Sequence, residues 1–170
     1  VSDVVVLVGP PGAGKSSVGR LLAAELRVPF VDTDALVAKT AGKPVGDIFV
    51  EDGEPVFREL ERAAVGRGLD GFGPDGGVLA LGSGAVLDHD VRRMITRRTV
   101  VYLEAGFATI AKRTGMDRPR VVIPGNPRGR LRTMLEERRP VYEDVAQVTV
   151  STDDTAPEEV AADLAERLAA

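Results

Sequence analysis

The chain has no cysteine and a single histidine, His89. Only four of its 22 basic residues are lysine: Lys15, Lys39, Lys43 and Lys112. No apolar run approaches the ~20 residues of a membrane-spanning helix. Without cysteine there are no disulfides and no thiolate metal sites, a usage that fits a reducing cytoplasm. His89 falls in the first turn of a predicted helix and is expected on the surface. No signal-peptide pattern stands before the first predicted strand, so a cytoplasmic protein is expected. The net charge of −4 argues against nucleic-acid or membrane-surface partners. The basic residues other than lysine are all arginine, most of them expected to be solvated. A few should do more, because the guanidinium fork suits carboxylates and phosphates better than an ammonium does. A length of 170 residues with 44% hydrophobic content predicts one folded domain over 1–170.

What is present is organised around Gly9-Pro10-Pro11-Gly12-Ala13-Gly14-Lys15-Ser16-Ser17. This is the P-loop pattern, placed after the apolar run Val4–Val8 and before a helix-patterned segment. Its glycines let backbone N–H groups from Gly12 to Ser17 turn inward as a nest for a polyphosphate, and the helix start adds positive field. Lys15 is placed to reach the β- and γ-phosphates, and Ser16 to ligate Mg2+. Nucleoside triphosphate binding follows.

Further along, Val28–Val31 reads as a strand ending in Asp32-Thr33-Asp34. Its carboxylates emerge at the carboxyl end of the sheet, where open α/β folds bind ligands. Helix capping by Asp34 is the alternative for that residue. Residues 42–53 read as irregular, and a helix is predicted from Pro55 to about Arg67. On it Arg58 and Glu61 can form an exposed i,i+3 pair. Gly68–Gly77 reads as a surface loop. Val78–Leu81 is a third strand entering Gly82-Ser83-Gly84, and Asp88 caps a helix to about Arg98. Thr99–Leu103 is a fourth strand, followed by a helix from Ala105 to Arg113. Thr114–Pro127 is a long loop of functional texture. A helix is then predicted to end near Pro140, Val148–Val150 is the fifth strand, and Thr155 with Glu158 forms a capping-box pattern for the last helix. The alternation predicts a three-layer, doubly wound α/β fold with a five-stranded parallel sheet.

Taken together, these motifs resemble the shikimate kinase family, in the nucleoside-monophosphate-kinase-like group of P-loop enzymes. The resemblance rests on Gly9–Ser17, Asp32-Thr33-Asp34, Asp47-Ile48-Phe49, Gly53-Glu54 with Phe57-Arg58 and Glu61, Leu81–Ala85, Arg118-Pro119, and Arg138 with Pro140 and Tyr142. It implies transfer of the ATP γ-phosphate to the 3-hydroxyl of shikimate in the chorismate pathway, by a monomer using ATP and Mg2+. It implies a substrate-binding insertion at about 33–61 and a lid at about 114–126. Arg58 and Arg138 match the family's carboxylate pair, and Asp34 its hydroxyl-binding residue and candidate general base. Gly82, Ser83 and Gly84 match the turn that holds the substrate, with Phe49 and Phe57 as an apolar wall. Asp32 corresponds to the Mg2+-holding carboxylate beside Ser16, Arg113 to the adenine-packing arginine, and Arg118 to the lid arginine on the phosphates.

Three positions depart from the pattern. Ser83 stands in a turn that is usually Gly-Gly-Gly; either it costs about 1 kcal/mol of strain, if φ is positive there, or its hydroxyl adds a contact. Arg120 stands where leucine is frequent. Thr152-Asp153-Asp154-Thr155 replaces a segment that supplies a basic adenine contact in some relatives. Two other functions compete: a kinase acting on gluconate, which also offers a carboxylate and hydroxyls, and a nucleotide-binding regulatory module without turnover. The presence of Lys15, Asp32, Asp34 and Arg118 argues against the second.

Overall fold

The computed structural model describes residues 3–116 and 125–170. Five strands, β1 (Val4–Val8), β2 (Phe30–Asp32), β3 (Gly77–Ala80), β4 (Thr99–Glu104) and β5 (Val148–Ser151), form one parallel sheet in the order β2-β3-β1-β4-β5. The fully buried β1 explains the unbroken apolar run, because successive side chains serve opposite faces. Val5 and Leu7 join one core, packed by α1 (Lys15–Leu26), α6 (Phe107–Arg113), the first half of α7 (Pro127–Val145) and α8 (Pro157–Ala169). Val4, Val6 and Val8 join the other, packed by α4 (Glu54–Asp70), α5 (His89–Ile95) and the end of α7. A smaller cluster, Val37, Ile48, Phe57 and Ala64, knits α2 (Thr33–Ala41), α3 (Val45–Glu51) and α4 together.

Several local expectations are corrected. Asp32, not Asp34, caps α2: its Oδ1 accepts from the N–H groups of Asp34 (2.9 Å) and Ala35 (3.4 Å). Residues 45–51 are helical, since Pro44 sits in extended geometry just ahead of the helix and Ile48 is buried beneath it. Helix α4 continues through Gly68, where a Cβ would stand 2.8 Å from Leu79 Cδ1, so the glycine allows close helix–sheet packing. Helix α5 stops at Ile95, short of Arg98.

Helix α7 passes through Pro140, although an interior proline costs about 3 kcal/mol. Burial of Leu131, Leu135 and Tyr142 along one face offsets that cost. The capping box of the last helix does not form: Ala156 is the cap residue, and the Thr155 hydroxyl donates to the Asp153 carbonyl instead. The Asp88 cap of α5 does form, and His89 is exposed. Among the described residues, no helix is long and apolar enough to cross a membrane.

Candidate active site

Three loops leave the carboxyl ends of β1, β3 and β2 side by side, which brings the P-loop, the 82–84 turn and Asp32-Thr33-Asp34 together. In the P-loop, Gly12 and Gly14 adopt φ of +80° and +95°, a left-handed conformation that side chains with a Cβ rarely take. Helix α1 begins at Lys15, so its free N–H groups face the loop's concavity. The Lys15 ammonium donates to the carbonyls of Gly9 (2.8 Å) and Pro10 (3.0 Å). Burial lowers its pKa to about 8 against the opposing pull of Asp34 and Asp32. The Ser16 hydroxyl donates to Asp32 Oδ2 at 2.5 Å, leaving two oxygen donors paired at the loop mouth.

One cavity here is lined by P-loop residues, Asp32, Asp34 and Ser83. A neighbouring cavity of about 370 Å³ is lined by Asp34, Phe49, Phe57, Arg58, Ser83 and Arg138, among others. Pro11, Asp34 and Ser83 line both. Burial and the adjacent Asp32 carboxylate raise the pKa of Asp34, with Lys15 and Arg58 acting the other way. Phe57 belongs to the small core and also walls the second cavity, its ring 4.3 Å from that of Phe49.

The pair of Arg58 with Glu61 is not exposed. Arg58 Nη1 donates to Glu61 Oε1 at 2.8 Å, and Glu61 is 1% exposed. Burial raises the Glu61 pKa, while the Arg58 hydrogen bond and charge hold it down. The acid thus fixes the guanidinium at the cavity wall. No sequence signal separates this from the solvated i,i+3 pair expected, because burial of the α4 face is decided by the packing of the turn above it.

That turn explains its own composition. A Cβ at Gly82 would stand 2.7 Å from both Asp34 Oδ1 and Glu61 Oε2, and one at Gly84 would stand 2.7 Å from Arg58 Nη2. At both glycines a Cβ would displace a charged group that lines the site, so their lack of a side chain lets those groups sit where they do. Ser83 between them is half-buried and is absent from the positive-φ residues, so the strain expected of its Cβ does not arise. Its hydroxyl lies 3.5 Å from Arg138 Nη1. Buried Thr33 accepts the Gly82 N–H at 3.0 Å, and Tyr142 donates its hydroxyl to the Ser83 carbonyl at 2.7 Å.

On the far side of the P-loop, Arg113 donates to the Gly12 carbonyl (2.9 Å), the Thr152 carbonyl (2.7 Å) and Thr152 Oγ1 (3.1 Å). Thr152, 2% exposed, lies 3.0 Å from the Ala13 carbonyl. Arg113 thus ties the phosphate loop to the segment after β5. In the following segment Asp153 accepts the Gly106 N–H. Thr33, Glu61, Thr152 and Tyr142 all shape the site; Thr33, Glu61 and Tyr142 stand within the family motifs, and Thr152 lies in the segment that departs from them. Arg118, Arg120 and most of the expected lid lie outside the described residues.

The sequence model of the family described as shikimate kinase matches residues 11–169. A shikimate kinase of Thermobifida fusca (strain YX) is 50% identical over 167 residues, which are 98% of this chain and 95% of that protein. The structure of an Acinetobacter baumannii shikimate kinase in complex with shikimate is similar with a TM-score of 0.87 at 32% identity, covering 98% of this chain and 93% of the other. A gluconokinase of Sinorhizobium meliloti 1021 reaches a TM-score of 0.58 at 22% identity, covering 99% and 96%, and shares the fold. Full-length similarity on both sequence and structure, joined to this arrangement of the P-loop, the 82–84 turn and the flanking arginines, places the chain: it belongs to the shikimate kinase family.

Proposed function

We propose that this protein transfers the γ-phosphoryl group of ATP to the 3-hydroxyl of shikimate, giving shikimate 3-phosphate and ADP. The observation that carries the reading is the meeting of two cavities at Pro11, Asp34 and Ser83, one walled by the phosphate loop and one by a pair of arginines. The N–H groups of Gly12–Ser17 cradle the polyphosphate, and Lys15 carries charge to the β- and γ-oxygens. Arg58 and Arg138 grip the acceptor carboxylate from opposite elements, which orients the ring as well as holding it. The 82–84 turn and Asp34 then hold the hydroxyls. Of the three residues shared by both cavities, Asp34 alone carries a carboxylate, so the attacking oxygen is assigned a place beside it. As the new P–O bond forms and the bond to the β-phosphate breaks, the hydroxyl proton passes to Asp34 Oδ, a transfer its raised pKa favours.

Ser16 and Asp32 fit a magnesium ion that keeps much of its water, since they offer two hard oxygen donors at the loop mouth. Among the described residues no group of three or more acidic or histidine ligands competes for that role. When bound, magnesium supplies neutralisation of charge on the β- and γ-oxygens. Arg113, held against the P-loop by its bonds to Gly12 and Thr152, is the residue assigned to pack on the adenine. Arg118 serves the lid, over about 114–126, and residues 33–61 serve as the acceptor-binding insertion. We assign the protein as a cytoplasmic monomer.

The test is ADP release from Mg-ATP with shikimate, gluconate or no acceptor. Acceleration by shikimate alone is expected. Equal acceleration by gluconate, or ADP release indifferent to acceptor, would overturn the assignment.

A further inference from the structure

The 82–84 turn carries the backbone groups that face the acceptor, yet its own conformation is set by two side chains from opposite sides. Thr33, next to Asp34, holds the Gly82 N–H, and Tyr142 holds the Ser83 carbonyl. Tyr142 lies four residues after Arg138 on α7, so both side chains leave the same helical face one turn apart. Arg138 itself reaches only to 3.5 Å from Ser83 Oγ, at the outer limit of a hydrogen bond. The strong polar tie between α7 and the turn is therefore the tyrosine hydroxyl. The ring is clamped as well: it is 1% exposed and packs 5.2 Å from the Tyr102 ring, on the last buried part of β4. A buried, clamped ring aims its hydroxyl at one place.

The consequence concerns two parts of the acceptor site that share no covalent neighbourhood. Arg138 is the only arginine lining the acceptor cavity that α7 contributes, and Arg58 comes from α4. Any slip of α7 along its axis would move Arg138 relative to the 82–84 turn, pulling the carboxylate ligand away from the hydroxyl ligands. Apolar contacts of α7 resist separation from the sheet but fix the slip poorly, because they are non-directional. A short, directional hydrogen bond fixes it. We infer that Tyr142 is a positioning residue for the acceptor: its hydroxyl sets the register between the Arg138 guanidinium and the Ser83–Gly84 backbone, so that both meet one small molecule. This rests on the assignment of shikimate as acceptor.

The experiment compares wild type, Tyr142→Phe and Val145→Ala. Val145 is half-buried in the same core cluster and lies less than one turn beyond Tyr142 on α7, so its truncation loosens the helix without touching the turn. Wild-type acceleration by shikimate is established first; its failure would sink the functional assignment and leave the inference without its acceptor. With that in hand, Tyr142→Phe should raise KM for shikimate about tenfold while KM for ATP stays within about twofold. Val145→Ala should lower Tm with both KM values near wild type. Combined with Arg138→Lys, Tyr142→Phe should add little further loss, because both changes disable the same alignment. Unchanged KM for shikimate in Tyr142→Phe, an equal rise in Val145→Ala, or full additivity with Arg138→Lys would each overturn the proposal. Failure of Tyr142→Phe to fold beside a folded Val145→Ala would also overturn it, by assigning the hydroxyl to stability.

Discussion

The two halves of the site are built in different ways. The phosphate half is almost entirely one contiguous stretch, Gly9–Ser17, whose backbone is proposed to do the binding and whose glycines set its shape. The acceptor half is assembled from side chains on α2, α3, α4 and α7 around the 82–84 turn, with Glu61, Thr33 and Tyr142 holding the pieces in place. Backbone recognition suits a ligand that is the same in every P-loop enzyme. Side-chain recognition spread over several elements lets one fold take different acceptors by changing a few residues. Asp34 belongs to both halves.

The largest effects should come from the phosphate half. Lys15→Met should cut kcat by on the order of 10³ and weaken ATP binding, with shikimate binding nearly intact, as read by steady-state rates and calorimetric titration. Because burial lowers the Lys15 pKa to about 8, its amine is charged below that pH and neutral above it. ATP affinity of the free enzyme should therefore fall as pH rises through about 8, and Lys15→Met should lose that limb. A flat profile in wild type would remove Lys15 from the phosphate site.

Next in size is Arg118→Ala, expected to lower kcat on the order of 10² with both ground-state affinities changed far less, because the proposed role of Arg118 is to stabilise charge that spreads during transfer. Changing Arg120 as well should deepen the loss. Near-normal kcat in the double variant would make both arginines surface charge.

A smaller, one-sided effect is expected in the acceptor half. Arg58→Lys keeps the charge but loses the fork held by Glu61, so the shikimate dissociation constant should rise about tenfold, equivalent to ~1.4 kcal/mol, with ATP binding unchanged. Equal weakening of both ligands would erase the division between the halves.

The smallest effect is predicted at Ser83. Its backbone is outside the left-handed region and its hydroxyl makes only a marginal contact with Arg138. Ser83→Gly should leave kcat and both KM values within about twofold, and stability within about 0.5 kcal/mol. A large loss of shikimate affinity would instead make the hydroxyl a ligand.

The contrast between the halves also explains what the sequence made legible. The P-loop, the five strands and the switch-point location follow from local patterns, because β1 alternates between two cores and the loop glycines have no other use. Asp34, Arg58 and Arg138 were legible through family motifs, whereas their surroundings were not. Whether Glu61 is solvated or buried depends on a turn 21 residues away, and whether α7 ends at Pro140 depends on a tyrosine that packs under β4. Thr33 was visible only as the middle of the Asp32-Thr33-Asp34 motif, and its own task appears only once Gly82, 49 residues away, is seen donating its N–H to it. Local rules fail where a distant contact decides.

The most direct test of the account is made at Asp34, where the two halves join. Asp34→Asn keeps the shape and removes the proton acceptor and the charge. Titrations of ATP and of shikimate should each show binding within several-fold of wild type, while shikimate-dependent ADP release falls by on the order of 10² or more. Wild-type turnover in Asp34→Asn, or loss of ATP binding with shikimate binding unaltered, would contradict the claim that the two half-sites meet at this carboxylate.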